Sequence, residues 1–313
     1  IATEDNTTVN ISGTNSNRIT PAATTKTLNE GESYFVISNN NNVNDLSGLK
    51  INVSINSPED SCKTIAVFNG NVVTCIPNNL GDNRDHLVEQ AYPISNWGTE
   101  FAITSTDGYV SFPDSDLDVD YIRITASEDN TKVKLNGAIV DSDLDLGETY
   151  TYNLRRSTGS CYIETDKPVA CYLYQRSADQ SGLRNDNMGD PSMVWIAPIE
   201  RGIEKITFST FAATGIDNDD HWVNIVIPAD ALDIRTSGRD ERKTVWLGNT
   251  DITQKFQTSG TLNYVKGSNN KYAYARVKIN HGTYTVYSNY GAKMVLHVYG
   301  LGNVRGYVLE PRV

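Results

Sequence analysis

Apolar residues along this chain come in short bursts rather than long periodic stretches. Tyr34-Phe35-Val36-Ile37, Lys63-Thr64-Ile65-Ala66-Val67-Phe68, Tyr121-Ile122-Arg123-Ile124-Thr125, Lys132-Val133-Lys134-Leu135 and Met294-Val295-Leu296-His297-Val298-Tyr299 are typical, and clusters of Asn, Asp, Gly and Ser separate such runs. β-Branched and aromatic residues at period two fit half-buried strands, and the polar clusters supply turns. Helical periodicity is almost absent. The pattern predicts an all-β chain, and short strands at regular spacing predict β-sandwiches.

The pattern also repeats. Residues 2–13 read ATEDNTTVNISG and residues 126–137 read ASEDNTKVKLNG. LNEGESYFV (28–36) answers LDLGETYTY (144–152), and DHLVEQAYPISNWGTEFAIT (85–104) answers DPSMVWIAPIERGIEKITFS (190–209). SCKTIAVF (61–68) is aligned with ACYLYQRS (170–177), which sets Cys62 against Cys171. A weaker third copy runs through HWVNIVIPADALDIRTSG (221–238) and HGTYTVYSNYGAKMVLHVYG (281–300). Fixed-period similarity marks tandem units. Three related, closely packed sandwich modules are expected, over 1–95, 96–199 and 200–313. The joins at Pro93-Ile94-Ser95-Asn96-Trp97 and Ala197-Pro198-Ile199-Glu200 are short and apolar, so rigid packing is expected, with strands shared across the join as one route. The first module has no counterpart of GTEFAIT (98–104), so its N-terminal strand is expected to be missing or supplied by another segment.

Length agrees, since 313 residues suit two or three ordinary domains. Lys and Arg total 27 against 38 Asp and Glu, a net charge of −11, with no dense basic cluster. That excludes the electrostatic footprint of a nucleic-acid binder and disfavours attraction to anionic lipid. No apolar run is long enough to span a membrane. The four cysteines, Cys62, Cys75, Cys161 and Cys171, lack Cys-x-x-Cys spacing. Cys161 and Cys171 flank Thr165-Asp166-Lys167-Pro168, and Cys62 and Cys75 flank Asn69-Gly70, a strong hairpin signal. Two disulfides across two hairpins are expected, in an oxidising compartment, with four buried free thiols as the alternative.

Catalytic signatures do not occur: there is no Gly-x-Ser-x-Gly elbow, phosphate-binding Gly loop or His-Glu-x-x-His. Asp85-His86 and Asp220-His221 could orient an imidazole, but read more simply as polar turns before strands. Asp114, Asp116, Asp118 and Asp120 alternate in FPDSDLDVDY, and Asp-rich loops can offer the oxygen ligands that calcium needs. They are the candidate metal ligands, with a structural calcium the one cofactor considered and solvated turns as the plainer reading. The Glu-Asp-Asn turns at 4–6 and 128–130 fit turn chemistry. Trp97, Trp195 and Trp222 sit beside apolar strand residues and are expected to pack in cores or joins.

Several of these segments resemble one family. GDPSMVWIAPIE (189–200), TDKPVACYLYQ (165–175), the ATEDNT and ASEDNT turns and HVYGLGNVRGYVL (297–309) are similar to the N-terminal domain of IgGFc-binding proteins. The Asn-rich, acidic style resembles that of a bacterial surface member. The resemblance implies an extracellular or cell-surface binding region, not an enzyme, within a longer surface protein. Its expected partner is a protein or glycan, with mucin and immunoglobulin as candidates. A structural spacer is the alternative function, and a carbohydrate-active enzyme a second one.

Overall fold

The computed structural model describes residues 1–40, 45–77, 84–106, 119–155, 158–178, 189–212, 214–217, 220–303 and 305–311. Among them the protein is all-β, with six short 3-10 turns and no α-helix. The strands group along the chain in the order of the repeats, and no ladder joins strands of different groups.

The first group holds β1 (Thr7–Ser12), β2 (Ile19–Thr20), β3 (Thr25–Leu28), β4 (Ile37–Ser38), β5 (Lys50–Val53), β6 (Val67–Thr74) and β7 (Asp85–Ala91). They form three small sheets, β3-β1-β5, β2-β4 and β6-β7. Its core is slight: Ala2, Val9 and Leu28, with Tyr34, Ile51 and Ile65 packed partly against them.

The second group holds β8 (Gly98–Thr104), β9 (Val119–Ala126), β10 (Thr131–Leu135), β11 (Ala138–Leu144), β12 (Thr149–Arg155), β13 (Ser160–Gln175) and β14 (Ser192–Trp195). β10 shows why the sequence folds this way: Thr131, Val133 and Leu135 are buried while Lys132 and Lys134 are exposed, the period-two alternation read from the sequence. β13 organises the group. Its first part pairs with β8 and β10; after a register shift between Glu164 and Val169 it pairs with β9 and β14. One core collects Phe101, Ile103, Ile122, Ile124, Ile163, Leu173 and their neighbours from both halves.

The third group holds β15 (Lys205–Ser209), β16 (His221–Pro228), β17 (Val245–Leu247), β18 (Thr250–Asp251), β19 (Gln257–Thr258), β20 (Thr261–Leu262), β21 (Tyr272–Ile279), β22 (Thr283–Ser288), β23 (Val295–Gly302) and β24 (Arg305–Leu309). Two four-stranded sheets, β15-β22-β17-β18 and β21-β16-β23-β24, enclose a core that includes Phe208, Val223, Ile225, Val286 and Val298. That is a sandwich.

The joins are made by side chains. Trp195, Met193, Tyr162 and Tyr172 of the second group form one apolar cluster with Leu87 of the first and Val226, Val265 and Val295 of the third, and Trp97 packs against it. Beside it lies a buried polar patch. Asn224 Nδ2 donates to Thr104 Oγ1 (2.8 Å) and to the Ser105 carbonyl (3.0 Å), and lies 3.0 Å from His297 Nε2. Full burial, with the Arg276 charge nearby, pushes the His297 imidazole down to about 3, so it is neutral.

Candidate binding face of the first module

The Glu-Asp-Asn turn is a clasp, built twice from the same bonds. Asp5 Oδ1 accepts the Glu30 N–H at 3.0 Å, and Asp129 Oδ1 accepts the Leu146 N–H at 3.0 Å. Glu32 Oε2 accepts the Asn29 N–H (2.7 Å), as Glu148 Oε2 accepts that of Asp145 (3.0 Å). Thr7 Oγ1 donates to the Glu4 carbonyl and Thr131 Oγ1 to the Glu128 carbonyl, both at 2.7 Å. Asn6 and Asn130 take φ of 55° and 56°, the left-handed region that Asn tolerates. The carboxylates therefore satisfy backbone N–H groups of tight turns, which is a structural task.

The clasp fixes how the two copies correspond. Ala2 bridges Ile65 where Ala126 pairs with Val169, and Ile11 pairs with Ile51 where Leu135 pairs with Ile163. The alignment of Cys62 with Cys171 is thus corrected: Ile65 stands where Val169 stands, which puts Val67 opposite Cys171. Cys62 lies in the 3-10 turn Pro58–Cys62 that precedes the strand.

With the copies in register, a difference stands out. In the second group β9 is held between β12 and β13, and β8 flanks β13. In the first group, among the described residues, β5 pairs with β1 and β6 with β7, and Ala2 bridges Ile65 just before β6. Residues 33–36, which correspond to the start of β12, join no ladder. Ile163 and Val169 are fully buried, whereas their counterparts Ile51 and Ile65 are only partly so. Apolar side chains stand in water here: Phe35 is 74% exposed, Phe68 53%, Val72 76% and Val88 59%. Phe68, Gly70 and Val88 share one face of the β6–β7 ladder. Scattered apolar residues are ordinary on a surface; here Phe68 and Val88 lie together on one thin sheet.

The hairpin and disulfide expectations are corrected as well. Asn69-Gly70 lies inside β6, paired with Glu89 and Val88. A Cβ on Gly70 would sit 1.9 Å from the Leu87 carbonyl oxygen, so this glycine serves a close backbone approach rather than a turn. Thr165-Asp166-Lys167-Pro168 is a bulge within β13, where the Pro168 carbonyl accepts the Ser127 hydroxyl at 2.6 Å. None of the four cysteines is in a disulfide: Cys62 is exposed, and Cys75, Cys161 and Cys171 are buried. Burial pushes the Cys161 thiol up to about 12 and Cys171 well above its ordinary value.

Of the candidate calcium ligands, Asp114, Asp116 and Asp118 lie outside the described residues. Asp120 is buried and accepts the Thr106 N–H (2.7 Å) and hydroxyl (3.0 Å). Among the described residues no group of three or more His, Cys, Asp or Glu is arranged to hold a metal ion. Asp85-His86 opens β7, with His86 Nδ1 2.8 Å from Asp85 Oδ1. His221 is buried against the Tyr307 hydroxyl at 2.9 Å. Trp195 and Trp222 are core residues, as expected, and Trp97 is half-buried in the join.

The sequence reading missed a junction. Asp190, two residues before β14, corresponds to Asp85 at the start of β7, and the two carboxyls share a hydrogen bond. Burial, then the charge of Asp85, pushes Asp190 up to about 7. Gly306 presses against it from β24: a Cβ there would meet the Asp190 backbone at 2.8 Å and Gln175 Oε1 at 3.3 Å. Three groups of strands meet at this point. The repeat pairs the two aspartates, but only folding brings them into contact.

What these observations define is an all-β protein of repeated units whose neighbouring groups pack through a shared apolar cluster. A model of the IgGFc-binding protein family matches residues 1–300, and the chain belongs to that family. No curated protein matches it. Among solved structures, an anti-sigma factor domain-containing protein aligns over 64% of this chain and 78% of its own, at 8% identity and a TM-score of 0.16, too distant to inform the fold.

Proposed function

We propose that the chain is a non-catalytic binding or adhesion region of an extracellular or cell-surface protein, which presents its first module to a protein or glycan ligand. Family membership supports a protein ligand. The observation that carries the reading is the apolar face of β6–β7, with Phe68, Val72 and Val88 exposed. Such a face is costly in water unless something covers it. Immunoglobulin Fc and mucosal glycoprotein are the ligands to try first, by analogy with the family's name. The packed joins suit a rigid arm, so a spacer role is the competing reading.

Binding of the purified chain to immobilised Fc, mucins and isolated glycans, with calcium and with chelator, tests this. Saturable binding that weakens in Phe68→Ser and Val88→Ser supports the proposal. Absence of binding to every ligand by the folded chain favours the spacer. Binding that is lost only in chelator would move the site to the Asp-rich segment.

A further inference from the structure

We infer that Asp85 and Asp190 form a proton-operated latch that fastens the β6–β7 hairpin of the first group to β14 of the second: one shared proton closes it, and loss of that proton lets the hairpin lift. The latch does not depend on the ligand proposed above. The hairpin it fastens carries Phe68 and Val88, so it sets the footing of that face.

The geometry is that of a seam held by side chains. Among the described residues β6 and β7 pair with each other, β14 pairs with β13, and no ladder joins the hairpin to β14. Along β7 alternate residues turn inward: Leu87 is buried and Asp85 and Glu89 are half-buried, while His86, Val88 and Gln90 are exposed. Leu87 packs in one cluster with Met193 and Trp195, and past the end of β7 the Tyr92 ring lies 4.8 Å from that of Trp195. Just past β6, the Ile76 N–H donates to Ser177 Oγ (2.9 Å) and the Ser177 N–H to the Ile76 carbonyl (2.7 Å). Asp85 opens β7 and meets Asp190 there. Gly306 of β24 closes behind Asp190, since a Cβ on it would meet the Asp190 backbone at 2.8 Å. Asp190 is thus backed by the third group, and the hairpin is the part that moves.

Two carboxyls in contact hold together with a proton between them and repel without it. Burial, then the charge of Asp85, pushes Asp190 up to about 7. At Asp85 burial is outweighed by the His86 backbone N–H and by the His86 ring at 2.8 Å, which keep it below the usual carboxylate range. Asp190 therefore holds the proton and its O–H donates to the Asp85 carboxylate. The other charged or titratable groups at the pair are His86 on β7 and Arg305 on β24, and Glu89 shares the inward side of β7. Docking raises Asp190, so its stabilisation is complete below the ordinary value of 3.8, is lost as pH rises through about 7, and is level above that. Such a pair biases a two-state element by protonation.

The test is amide exchange of the intact chain at pH 5 and pH 8, each rate divided by its intrinsic value at that pH. Protection of the β6–β7 amides should fall about fivefold or more from pH 5 to pH 8, while that of β16 and β21 holds. Asp190→Asn and, separately, Asp85→Asn should abolish the difference, because an amide bonds to the remaining carboxylate at either pH. His86→Gln should keep it. The inference is overturned if β6–β7 protection is the same at both pH values in the wild type, or if β16 and β21 change equally. It is overturned also if both asparagine variants keep the pH dependence, or if His86→Gln removes it.

Discussion

Asp190→Asn should make the protein more stable at pH 8 and leave it unchanged at pH 4. Asp190 is 5% exposed, its carboxyl hydrogen-bonded to that of Asp85 and raised from 3.8 to about 7 by burial and by that neighbour's charge. An acid raised on folding contributes its full stability below the unfolded value of 3.8. The contribution is lost as pH rises through about 7, because the unfolded chain releases a proton that the folded chain keeps. At about 1.36 kcal/mol per unit, the ceiling is ~4 kcal/mol. The Asp85 side chain is 44% exposed and can turn toward water, so solvent screening reduces this to about 1–2 kcal/mol. Asparagine occupies the same volume, can donate to Asp85 and carries no charge. The assay is urea unfolding between pH 4 and 8, followed by tryptophan fluorescence, since Trp195 and Trp97 lie in the apolar cluster joining the same groups of strands. The midpoint gap between variant and wild type should open steadily from pH 4 to pH 7 and then level off. A gap of the same size at every pH, or a variant less stable at pH 8, would refute the shared-proton account.

His297 has the opposite sign: its imidazole is depressed to about 3, so stability present above 6.5 is lost as pH falls toward 3, and His297→Gln should flatten the acid limb of the unfolding curve. Asn224→Ala leaves Thr104, the Ser105 carbonyl and His297 without their shared partner, and should cost about 2–3 kcal/mol in the same urea assay. Gly70→Ala puts a methyl group 1.9 Å from the Leu87 carbonyl oxygen, so β7 must move off β6; slow-exchanging amides in both strands should be lost while those of β16 and β21 persist. A thiol reagent should label Cys62 quickly in the native protein, and Cys75, Cys161 and Cys171 only on unfolding; detection of fewer than four thiols in the unfolded, unreduced chain would restore a disulfide.

Strand identity was determined locally. In β10, Val133 and Leu135 alternate with Lys132 and Lys134, and only one pairing puts the first two into a core. The clasp was legible too, because Asp and Asn bond to backbone groups a few residues away and need little from the rest of the chain. Where a signal depended on distant partners, the sequence misled. Asn69-Gly70 has the composition of a hairpin turn, yet β7 runs so close that the glycine is spent on backbone approach. Cys161 and Cys171 flank a bulge in one continuous strand, a distinction set by β8, β9 and β10 pairing along it. The alignment of Cys62 with Cys171 failed because similarity of short apolar runs does not fix register, whereas the Ala2–Ile65 and Ala126–Val169 pairings do. The acid pair of Asp85 and Asp190 and the burial of His297 belong to the tertiary structure alone. Each depends on which strands lie side by side, and that is settled by side-chain packing across long stretches of chain, not by the residues next to it in sequence.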